Sequence, residues 1–170
     1  GKFIYQKPKM WNVYQLETFH LNKRLRGISE ICFVLRAKVH IKGFWFKRYN
    51  RAWQILMAGE CDKIYGDSFE RAGEEIHQIG NNVTIRFEQM DFGEKGTKSL
   101  VICGSTPLEK NTIILKFAKD GVEEQRMVEF MGTKTKQSFE IEPIYGVNDV
   151  SLVFLPGSNF NFTSICFCEA

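Results

Sequence analysis

The chain has 170 residues, 44% of them hydrophobic and 25% charged, with 23 basic against 20 acidic residues and a net charge of +3. That length suits one domain with a sizeable core, or one domain plus an appended segment, and the composition is that of an ordinary soluble globular protein. The near balance of charge argues against nucleic acid as a partner, and no apolar run approaches the roughly 20 residues needed to span a membrane.

Residues 1–30 differ from the rest. The first 51 residues are basic, and within 1–30 Met10, Val13 and Tyr14 have a loose helical spacing, which predicts a short helix starting near Pro8. Residues 31–46 begin apolar and then alternate: Val39 and Ile41 face one way, His40 and Lys42 the other. That pattern predicts a strand with His40 on its solvent side. The domain boundaries read as 1–42, a linker or the tail of a preceding domain, and 43–170, a β-sandwich.

From Trp53 onward, short strands alternate with turn residues. Ile55–Ala58 is the first candidate. Val83, Ile85 and Phe87 then alternate with Thr84, Arg86 and Glu88, the period of two that buries one face of a strand. Ser99–Gly104 follows, then Thr112–Phe117 and Arg126–Phe130 with Asp120-Gly121 between them. Asp-Gly between apolar runs predicts a hairpin, because glycine supplies positive φ without steric cost. Ser138–Glu142, Val150–Leu155 and Thr163–Phe167 complete the series. The fold class is therefore all-β, an antiparallel β-sandwich or jelly roll, with a partly helical N-terminal segment.

No nucleophile motif, phosphate-cradling loop or His-Glu-x-x-His occurs, and His20, His40 and His77 sit in unrelated contexts. Glu60 with Asp62, and Glu74 with Glu75, are local carboxylate clusters. They read either as solvated faces or as part of a structural ion site. Five cysteines, an odd number, predict free thiols and a reducing, cytoplasmic setting. Cys32 and Cys103 lie in apolar runs, as packed thiols do, and Cys61 lies between two acids. The loop Leu155–Phe162 carries Asn159 and Asn161. Their amides offer donor and acceptor together, which suits sugar hydroxyls and equally suits loop backbone groups.

The stretch from about residue 54 to 168 resembles family 6 carbohydrate-binding modules. The residues that carry this are Ala58-Gly59-Glu60, Ile79-Gly80-Asn81-Asn82, Met90-Asp91-Phe92-Gly93 with Gly96, and Phe160-Asn161-Phe162. Ile64–Phe69, Ile102-Cys103-Gly104 and Phe154–Phe160 look more particularly like the module of β-galactosidase-like enzymes of glycoside hydrolase family 2. Tyr5–Leu16 faintly resembles the stretch that closes the catalytic barrel there. The resemblance implies a jelly roll, often with a structural calcium for which Glu60 is the evident ligand, and a sugar site in the loops at one end. Asn161 falls on the family's sugar-binding Asn. Gln78 stands where one of the stacking aromatics is expected, the loop at Thr135 and Lys136 lacks the other, and Ser164 replaces a common Trp. Gln78, Asn159 and Asn161 are thus the candidate carbohydrate-binding residues, with Asn161→Ala expected to abolish sugar binding while leaving folding nearly intact. Two readings stay open: a non-catalytic module that holds an upstream catalytic domain near a glycan, or a structural accessory domain that has lost sugar binding.

Overall fold

A computed structural model of the chain describes residues 3–5, 10, 13–21, 25, 28–46 and 50–169. The chain divides into two compact units, Gly1–Lys47 and Arg48–Ala170.

In the first unit the described residues form neither helix nor strand. The predicted helix is not supported: residues 13–16 are irregular, and Pro8, Lys9, Trp11 and Asn12 lie outside the described residues. The predicted strand over 39–42 is also not formed, and Val39, His40 and Ile41 are exposed. Alternation selects a face, but a strand exists only through its ladder with a neighbour. Rings do meet locally, Phe3 with Phe19 at 4.8 Å and Phe33 with Phe44 at 5.0 Å. Cys32 is exposed rather than packed.

The second unit begins β1 (Leu56–Met57), a 3-10 turn (Ala58–Glu60), β2 (Lys63–Tyr65), β3 (Ser68–Ala72), β4 (Glu75–Asn81) and β5 (Val83–Asp91). It continues β6 (Thr97–Ser105), β7 (Lys110–Lys119), β8 (Val122–Met131), β9 (Lys136–Ile144), β10 (Val147–Phe154) and β11 (Phe160–Glu169). The strands make an antiparallel two-sheet sandwich. A six-stranded sheet runs β3-β4-β11-β6-β9, with β1 also on β11, and a five-stranded sheet runs β2-β5-β10-β7-β8. The alternation read over 83–88 holds, with Val83, Ile85 and Phe87 fully buried, and beyond it the buried set shifts by one residue to Met90 and Phe92. The hairpin at Asp120-Gly121 also forms, with φ of 50° and 82° at the two residues.

The inward faces explain the many phenylalanines. Phe87, Phe92, Phe117, Phe130, Phe154, Phe160 and Phe162 are almost wholly buried between the sheets. They pack edge to face or tilted, with Phe130 and Phe160 centroids 5.0 Å apart at 89° and Phe92 and Phe167 5.1 Å apart at 65°. Such pairs add roughly 0.5–1.5 kcal/mol each beyond the area they bury. Cys61 corrects the sequence reading: it belongs to this core, 1% exposed, despite its acidic neighbours.

Two of the β-bulges in the sandwich share one device. Phe160 pairs with Ile79 and Phe162 with Ile76, so His77 and Gln78 together oppose Asn161. Val150 pairs with Phe87 and Asn148 with Met90, so Glu88 and Gln89 together oppose Asp149. Gln78 and Gln89 adopt left-handed φ of 51° and 57°, which takes their N–H groups out of the ladder. In both cases the opposing side chain supplies the acceptor. Asn161 Oδ1 takes the Gln78 N–H at 2.9 Å, and Asp149 Oδ1 takes the Gln89 N–H at 2.7 Å.

Candidate functional site

The register places one group of loops at a single end of the sandwich. Phe154 lies opposite Val83, Ser105 opposite Asn161, and Met131 opposite Lys110. The loops at 106–109, 132–135 and 155–159, with the turn at Asn82, therefore gather there. The three candidate sugar residues, Gln78, Asn159 and Asn161, are at this end.

Asn161 and Gln78 are in direct contact. The Asn161 amide is half-buried, its oxygen holding the Gln78 N–H and its nitrogen 3.5 Å from Ser105 Oγ. It therefore serves the backbone, one of the two roles the residue type allowed. Gln78 is exposed, and its Nε2 donates to Glu70 Oε2 at 3.1 Å. Asn159 is exposed with φ of 45°, the left-handed conformation that Asn tolerates better than most residues.

The loop carrying Asn159 is fastened from below. Asn111 Nδ2 donates to Ser158 O at 2.6 Å and to Thr106 Oγ1 at 3.2 Å, while Ser158 Oγ donates to Asn111 Oδ1 at 3.2 Å. All three residues are buried. Gly157 N donates to Gly80 O at 2.7 Å, tying the loop to β4. The polar residues of 106–111 and 155–159 look like ordinary turn chemistry in sequence. Only their pairing across some 47 residues makes them a loop anchor.

No aromatic occurs among residues 106–109, 132–135 or 155–159. The exposed aromatic at this end of β2 is Tyr65, 51% accessible, opposite Thr84 on the edge of the five-stranded sheet. Sequence reasoning passed over Tyr65 because a tyrosine before a Gly-Asp turn carries no signal of exposure. Ser164 is buried on β11, opposite both Met57 and Cys103.

Glu60 lies on the 3-10 turn and Asp62 follows it outside any strand. The Glu60 carboxylate accepts the Met57 N–H at 3.2 Å. Asp62 pairs with the Arg51 guanidinium and accepts the Glu88 N–H at 2.7 Å. Arg51 also donates to Glu60 O at 3.2 Å, and its guanidinium lies 5.5 Å from the centre of the Phe87 ring. Calcium needs six to eight oxygens at one point. Among the described residues no three Asp, Glu, His or Cys side chains converge as a metal site. A guanidinium already lies against the Glu60 carbonyl and the Asp62 carboxylate. The residues here do not fit a calcium ion.

With this geometry in view, the sandwich has the same fold as carbohydrate-binding modules of known structure. Among solved structures it is similar to a family 6 module from Clostridium stercorarium in complex with cellobiose, with 22% identity, a TM-score of 0.56 and coverage of 70% of this chain and 95% of that one. It is also similar to a family 36 module in complex with calcium and xylotriose, with 15% identity, a TM-score of 0.51 and coverage of 68% and 99%. Part of a family 43 arabinoxylan arabinofuranohydrolase from Bacillus subtilis, in complex with cellotetraose, matches too: identity is 20%, the TM-score 0.52, and coverage 70% of this chain but 28% of that enzyme. No family model matches the chain, and no curated protein matches it.

Proposed function

We propose that residues 48–170 act as a non-catalytic carbohydrate-binding module of a glycoside hydrolase, holding its catalytic domain near a glycan and raising the local substrate concentration. The observation that carries this is the sandwich itself, whose likeness extends over 95% of a family 6 module. The β-galactosidase-like host rests on the residues quoted above, Ile64–Phe69 and Phe154–Phe160 in particular. In this reading Gly1–Lys47 leads from the upstream catalytic domain. The cytoplasmic setting belongs to the same reading and is supported by the odd number of cysteines, five.

A second reading is a structural accessory domain with no sugar site. Two observations favour it: the Asn161 amide oxygen is committed to the Gln78 backbone, and the surrounding loops hold no aromatic to stack on a sugar face. A glycan array followed by calorimetry on the whole chain separates the two. Saturable binding to a β-linked oligosaccharide supports the module, and no binding at millimolar concentration to any glycan leaves the structural domain.

A further inference from the structure

At the end of the sandwich remote from Asn161, the β7–β8 hairpin and the β9–β10 turn stand beside each other. An open cleft of about 330 Å³ lies there, lined by Phe117, Lys119, Asp120, Glu124, Ile144 and Tyr145 among others. Its size is at the lower end of small-molecule sites, room for one or two sugar rings. Its floor is apolar, Phe117 and Ile144 being 1% and 4% exposed. Tyr145 is 52% exposed.

The cleft is held in shape. Gly146 N donates to Gly93 O at 2.8 Å and Phe92 N donates to Gly146 O at 2.9 Å, lashing the β9–β10 turn to the β5–β6 loop. The buried Asn148 amide donates to Tyr145 O at 3.0 Å and Gly146 O at 3.2 Å. Two glycines seat the functional groups. A Cβ at Gly96, where φ is 76°, would lie 2.6 Å from Tyr145 Cδ1, and one at Gly146, where φ is 70°, would lie 2.9 Å from Lys119 Nζ. The Tyr145 ring thus rests where a side chain at residue 96 would otherwise stand, which reduces the cost of ordering it around a ligand, while the Lys119 ammonium lies beside Gly146.

The groups present select the ligand. An aromatic ring takes the apolar C–H face of a pyranose. Lys119 donates to hydroxyl oxygens, and the Asp120 carboxylate accepts from hydroxyl groups. Glu124 is drawn to Arg126 at 2.8 Å, so Lys119 and Asp120 roughly balance each other and neither an anion nor a cation is favoured. We propose that this cleft binds a neutral saccharide of one or two rings, with Tyr145 as the stacking platform and Lys119 and Asp120 as the hydroxyl partners. The inference rests on the carbohydrate-binding reading but sets the site at the opposite end from Asn161.

The test is an amide chemical-shift titration of the whole chain with cellobiose, xylobiose and lactose at millimolar concentration. Saturable shifts are expected at Gly96, Lys119, Tyr145 and Gly146. Tyr145→Ala should weaken binding about tenfold or more. Lys119→Met leaves the ring's seat untouched and should weaken it several-fold, with far-UV circular dichroism unchanged. Shifts confined to Gly157, Asn159 and Asn161 and unaffected by either variant overturn this inference and leave the module reading standing. No shift at either end with any of the three sugars overturns both.

Discussion

Asn161 is the residue at which the structural and binding roles can be separated. Replacing it with Ala keeps the strand but removes the acceptor of the Gln78 N–H, 2.9 Å away. No ladder partner can take over, because the register passes from Phe160–Ile79 to Phe162–Ile76 and leaves Gln78 unpaired. One net backbone hydrogen bond is worth about 1 kcal/mol, and the exposure of Gln78 lets water recover part of it, so Asn161→Ala should cost about 1 kcal/mol rather than the 3 kcal/mol of a sealed donor. For a domain of this size that lowers Tm by roughly 2–6 °C. Asn161→Asp keeps an oxygen in place and should melt near the parent at pH 7. Thermal unfolding followed by circular dichroism reads both. The reasoning fails if Asn161→Ala melts with the parent, or if the two variants fall equally. Should Asn161→Asp lose sugar affinity at unchanged Tm, the amide nitrogen is a sugar ligand in addition to its structural part.

Asn111→Asp should destabilise by about 3 kcal/mol, since it turns a buried donor into a charged acceptor facing Ser158 O and Thr106 Oγ1; a urea midpoint equal to the parent's refutes this. Burial alone would push the Asp149 carboxyl up, but the Arg86 guanidinium at 2.6 Å and the Gln89 N–H more than offset it and hold it below the usual range. With the folded pKa below the unfolded one, the stability it contributes is present above about pH 3.9 and is lost as pH falls through the folded value. Asp149→Asn should therefore flatten the acid limb of a urea stability profile below about pH 4, and an unchanged limb counts against the pairing. Because Arg51 lies against Glu60 O and Asp62, EDTA and added calcium should leave Tm unmoved, and a rise on adding calcium shows that a site forms.

The first half of β5, residues 83–88, is legible because its period of two needs no distant information, and burial of Val83, Ile85 and Phe87 follows directly from it. The same logic found most of the strands from residue 75 onward and the Asp120-Gly121 hairpin, whose positive φ is written in the residue types. It failed over residues 39–42, where an alternating face has no ladder to join. Whether Cys61 is core or surface also escaped it, since flanking acids do not fix which way a short turn projects its side chain.

What the sequence by itself determined is the sandwich: strand periodicity and turn chemistry are local properties, and two apolar faces must meet. What only the tertiary structure decided is the employment of the polar groups. Asn161 and Asp149 became acceptors for bulged N–H groups because the ladder slips by one residue beside each of them. Arg51 came to Asp62, and Asn111 to Ser158, through contacts between segments that no local pattern links. The seat of the Tyr145 ring likewise depends on Gly96, distant in the chain, where a side chain would meet the ring and Ile144 O.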